Sequence, residues 1–88
     1  MTVLVDQAFW PAHGRLWAHL VSDASLDELH AFAAANALPA RAFDLDHYDV
    51  AEEALPRLIA AGARPVSAHE LTRALIASGL RVRARDRR

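Results

Sequence analysis

The chain has 88 residues, 53% of them hydrophobic, no cysteine and a formal charge of −1. Its length sets one domain with a thin core, because much of the apolar share is alanine, which buries little area per residue. The missing cysteine excludes disulfides and thiolate chemistry, and no apolar run approaches the ~18–20 residues that span a membrane.

The elements follow in chain order. "TVLV" is a β-branched run that predicts a first strand ending at Asp6. "QAFWPAHGRL" carries Pro11 and Gly14 and reads as a loop, and "WAHLV" reads as a second strand. Ser25 with Glu28 has capping-box spacing and opens a helix near 25–37, with Leu26, Leu29, Phe32, Ala33 and Ala37 on one stripe. Pro39 ends it, and "RAFDL" is the next short strand. A second helix is expected near 51–62, distorted or kinked at Pro56, which has no N–H to donate. "RPVS" is the last strand. Ser67 and Glu70 form another capping box, stapled by Val66 and Leu71, and open a helix over 68–78 that Gly79 closes.

Strands that alternate with helices predict a small α/β domain over residues 1–80, built on a mainly parallel sheet with three helices. The tail 81–88 holds five arginines and one acid, Asp86, so it carries +4 and the body carries −5. It has no apolar periodicity and is expected to be disordered. An acidic body is a poor footprint for nucleic acid, which leaves a weak contact of the arginine tail as the one such role. The N-terminus lacks the basic and apolar regions of a signal peptide, so a cytoplasmic location is expected. The thin core makes a homodimer the expected assembly.

"FDLDHYDV" places three carboxylates and an imidazole between Phe43 and Val50. Asp49 with Glu52 has capping-box spacing, which makes Asp49 the N-cap of the second helix. Asp44 and Asp46 read as solvated loop charges. In a parallel sheet, Asp6, this loop and Ser67 would share the edge where ligands bind. Of the five histidines, His13 reads as exposed and His30 as a partly buried helix residue. His69 lies in a first helical turn, where positive charge is disfavoured. His19 alternates with Trp17 and Val21 and reads as a hydrogen-bonded core residue. There is no phosphate loop and no nucleophile elbow, and the aromatic residues do not interleave with a basic patch.

"TVLVD", "WAHLVSD", "LDELHAFAA", "HYDV" and "AAGARPVS" resemble a small bacterial and phage family known as domain of unknown function 4031, over roughly residues 1–80. The most specific parts are His19–Leu20, Glu28–His30 and His47–Asp49. The resemblance implies that Asp6, His19, Asp23, His47, Tyr48 and Asp49 belong to the family's pattern. It implies no activity. Pro56 departs from the family's second helix, and the arginine tail lies outside it.

His47 and Asp49 are two apart and would point the same way in an extended segment, with His19 reaching them from a neighbouring strand. Two imidazoles with a carboxylate suit Zn²⁺, Mn²⁺ or Fe²⁺ better than Ca²⁺. Two functions follow. The first is a non-catalytic accessory or interaction protein, in which these residues form a buried hydrogen-bond network. The alternative is a metal-dependent hydrolase of a phosphoester or nucleotide. There His19, His47 and Asp49 bind the metal, and Asp6 or Asp23 is the base that activates water. Small size favours the first, because 88 residues leave little material for a closed pocket of ~300 Å³ or more.

Overall fold

Two-residue turns, more than helical crossovers, set the direction of this sheet. The computed structural model describes residues 2–82. Strand β1 (Val3–Val5) is followed by β2 (Trp10–Ala12) and the long β3 (Arg15–Ser22). Helix α1 (Leu26–Ala35) comes next, then β4 (Phe43–Asp44) and β5 (His47–Ala51). Helix α2 (Leu55–Ala60), β6 (Arg64–Pro65) and α3 (Ala68–Ser78) complete the described order. The sheet runs β4-β5-β3-β1-β6, with β2 also paired to β3.

The sheet is mostly antiparallel, which corrects the mainly parallel expectation. Only β1 and β6 run parallel among the described pairs. One cause is the hairpin at His13–Gly14, where φ is 52° and 73°. Two left-handed residues make the turn whose twist matches antiparallel strands. Trp10 then faces Trp17 and Ala12 faces Arg15 across it. The presumed loop "QAFWPAHGRL" therefore holds a strand. Pro11 is tolerated because β2 has β3 as its only described partner and so sits at an edge.

The second hairpin joins β4 to β5 through Leu45 and Asp46, pairing Asp44 with His47. Here "HYDVA" is a strand. Tyr48 and Val50 are buried on one face, while His47, Asp49 and Ala51 alternate to the other. Asp49 is therefore not a helix cap. Helix α2 starts six positions later, and Ala54 precedes it without a side-chain cap.

The local end signals of the helices hold better. Ser25 caps α1 by accepting the Glu28 N–H at 3.0 Å. The Glu28 carboxylate does not return to Ser25; it accepts from Ser22 Oγ instead. Ser67 and Glu70 complete both halves of their box, and Gly79 closes α3 at φ 83°. A 3-10 turn at Glu52–Ala54 precedes α2, and Pro56 falls in its first turn, the distorted start expected of it.

Helices cover both faces of the sheet. On one, Leu29 and Leu58 meet Val5, Leu20 and Val50. These side chains are essentially inaccessible, and each fully buried leucine contributes about 1.5–3 kcal/mol. On the other face, Leu71 and Leu75 of α3 cover Leu4 and Val21. The next positions along that face, Asp6, His19 and His47, border a cavity of about 330 Å³ instead.

Candidate metal centre

The antiparallel register assembles the polar cluster. Asp49 lies directly across from His19, and His47 precedes Asp49 by two, so all three share a face. Asp6 follows β1 on the same face as Leu4. It is 4% exposed and clamps His19 at two points. Its Oδ1 accepts the His19 backbone N–H at 2.6 Å, and its Oδ2 lies 2.9 Å from the ring Nδ1.

Asp46 holds the His47 ring at one point. It is fully buried, with Oδ1 2.7 Å from His47 Nδ1 and Oδ2 accepting the Val82 N–H at 2.8 Å. Arg81 stands 3.6 Å from the same Oδ2. An ionised carboxylate only accepts, so each Nδ1 donates to its carboxylate, and in a neutral ring Nε2 is then the atom with the lone pair. This is the arrangement that orients histidine ligands in metal sites.

His47 Nε2 lies 3.1 Å from Asp49 Oδ1. That oxygen is nonetheless buried without a hydrogen-bond donor among the described residues. With a hydrogen on His47 Nδ1 alone the approach joins two acceptors, and with a protonated ring it is an ion pair. One donor atom from each of His19, His47 and Asp49 falls within 4.8 Å of the others. Around an ion held at 2.0–2.2 Å such atoms sit ~3.3 Å apart.

The charge of the cluster points the same way. Asp6, Asp46 and Asp49 bring three carboxylates together, and the Arg81 guanidinium stands 3.6 Å from Asp46. His19 responds by holding its proton above the ordinary histidine range. The hydrogen bond to Asp6 is the largest cause, burial opposes it, the charges of Asp6 and Asp49 add, and Arg81 subtracts. Trp10 stacks flat on the His19 ring at 5.9 Å, and Phe9 flanks it. Asp49 and Trp10 also border a larger open groove of about 760 Å³.

Of the residues singled out from the sequence, Asp6, His19, His47 and Asp49 come together. Asp23 does not: its Oδ1 accepts the Thr2 N–H at 2.8 Å, beyond the far end of β3. Ser67 caps α3. Tyr48 lies on the opposite face, its hydroxyl 2.7 Å from His30 Nδ1. Replacing Tyr48 by Phe should cost about 1 kcal/mol. Chemical denaturation should find that cost equal with and without EDTA, since the hydroxyl faces away from the cluster.

Asp44 is exposed, as a loop charge would be. Asp46 is not, which corrects its reading as a solvated charge. The available signal was its place beside His47, a carboxylate next to an imidazole. The burial that gives it a role comes from distant residues.

The fold and cluster thus define a small α/β domain with an inward-facing His-His-Asp set. The chain belongs to the family described as Protein of unknown function (DUF4031), which matches residues 3–78. Comparison with curated proteins and with solved structures gives no match. No helix among the described residues is long and apolar enough to cross a membrane.

Proposed function

We propose that this protein binds a divalent transition-metal ion through His19, His47 and Asp49. The observation that carries the reading is Asp49 Oδ1, buried without a donor among the described residues and set against two imidazoles whose Nδ1 atoms are taken by carboxylates. A buried network that serves only structure satisfies its polar atoms, since an orphaned acceptor costs ~1–3 kcal/mol. A cation supplies what this oxygen lacks among the described residues. Two nitrogen donors and one carboxylate suit Zn²⁺, Mn²⁺ or Fe²⁺.

Asp6 and Asp46 act as orienting carboxylates in this reading. Both oxygens of Asp6 are engaged by His19 and Asp23 is remote, so neither is placed as a general base. Three protein donors are one fewer than structural zinc sites use, and the set adjoins a cavity. Those two observations favour an enzymatic form, hydrolysis of a phosphoester or nucleotide, over an accessory role. A bound ion would supply Lewis acidity and lower the pKa of a water molecule. The chain's own residues would hold the ion, fix the imidazole tautomers and wall the cavity with Phe9, Leu71 and Leu75.

Elemental analysis of protein purified without chelator, followed by Co²⁺ titration of the stripped protein, tests the reading. One equivalent of metal and a visible cobalt spectrum are expected. A stripped protein that takes up no Co²⁺ at millimolar concentration overturns it.

A further inference from the structure

We infer that the segment leaving α3 is a strap that positions the ligand His47 by way of Asp46. The inference rests on the metal reading for its consequence and on separate contacts for its geometry. The turn that carries Asp46 is strained. Leu45 has φ 61°, and the Asp46 N–H lies 2.6 Å from the Asp44 carbonyl. A leucine in the left-handed region is disfavoured and persists only where its surroundings over-determine it. Burying the Asp46 carboxylate completely adds a second demand, because an ionised group in the interior needs donors.

The strap meets both demands from 36 residues away. Gly79 turns the chain out of α3 through φ 83°. The Leu80 N–H donates to Ser78 Oγ at 3.1 Å, and the Leu80 side chain packs on the Leu4, Val21, Leu71 and Leu75 cluster. That anchor directs the next two residues across the cavity. Val82 donates its backbone N–H to Asp46 Oδ2, and Arg81 brings positive charge to the same oxygen. Asp46 Oδ1 is then committed to His47 Nδ1, which turns His47 Nε2 toward Asp49. Arg81 also lines the cavity beside Asp6, His19 and His47, so the strap forms part of its wall. Arg81 and Val82 lie beyond the residues matched to the family, 3–78, which makes the strap a feature of this chain rather than of the matched region. Asp46 is accordingly a positioning residue that acts through His47.

The test uses the full chain and three variants. Val82→Pro deletes the N–H, Val82→Ala keeps it, and Asp46→Asn weakens the acceptor. Nitrogen-15 NMR of the metal-free protein reads the His47 ring tautomer, and Co²⁺ titration reads affinity. Wild type should show His47 in the Nδ1–H form. Val82→Pro should mix the tautomers and weaken Co²⁺ binding about tenfold. Asp46→Asn should weaken it roughly 10–100-fold, the range for lost orienting partners. Val82→Ala should behave as wild type. Val82→Pro with an unchanged tautomer and unchanged affinity overturns the strap, as does Val82→Ala matching the proline variant. If wild type takes up no Co²⁺, the metal reading falls, and the tautomer comparison alone decides the strap.

Discussion

On the proposed metal reading, stripping the ion should lower stability by about 2.7 kcal/mol when free metal stands at a hundredfold excess over its dissociation constant. For a domain of this size each kcal/mol moves the melting temperature by roughly 4–8 °C, so EDTA should lower it by roughly 10–20 °C. His47→Ala should erase that difference, because the set loses one of its two nitrogen donors. The variant should also lose stability in EDTA. Buried Asp46 gives up its His47 partner, at a cost of ~1–3 kcal/mol. The diagnostic quantity is therefore the gap between melts with and without chelator, not either melt alone. A wild type insensitive to EDTA, with a variant equally weakened in both conditions, would return His47 to a structural role.

The helices were legible because their end signals are local. Ser25, the Ser67–Glu70 pair and Gly79 act within a few residues of their own backbone, and Pro56 distorts only its own turn. Sheet direction was not legible, because it depends on two turns with unusual residues. His13–Gly14 lacks the Asn or Asp that usually marks such a hairpin, and nothing local predicts that Leu45 will adopt φ 61°. Asp49 shows how two signals compete. Its spacing to Glu52 fits a capping box, but the burial of Tyr48 and Val50 in β5 outweighs one cap.

The site was legible in residue type and not in arrangement. A parallel sheet would have gathered Asp6 and the "DLDHYD" segment at one edge. The antiparallel register gathers Asp6, His19, His47 and Asp49 on one face instead. Asp46 escaped because its burial is a long-range event. The donor that satisfies it belongs to Val82, in a segment whose own composition suggested no contact. Arg81 and Val82 are both described, while residues 83–88 of the tail lie outside the described residues.

Asp49→Asn separates the metal reading from the structural one most sharply, because the two predict opposite signs in the absence of metal. In wild type, Asp49 Oδ1 is buried without a donor among the described residues, and its charge adds to those of Asp6 and Asp46. An oxygen kept unsatisfied costs ~1–3 kcal/mol. Asparagine has nearly the same shape, removes the charge and brings an N–H₂ donor. The approach of His47 Nε2 at 3.1 Å gives that donor an acceptor. In EDTA the variant should therefore be at least as stable as wild type, by up to about 1 kcal/mol. With metal the order should reverse, since the variant forfeits the ligand-linked stabilisation of about 2.7 kcal/mol. Urea unfolding in the two conditions reads both differences on one pair of proteins. If Asp49→Asn is less stable than wild type by more than about 1 kcal/mol in EDTA, Asp49 is a member of a satisfied network. A crossing of the two curves would mark Asp49 as a residue that holds a cation through an oxygen otherwise left unsatisfied.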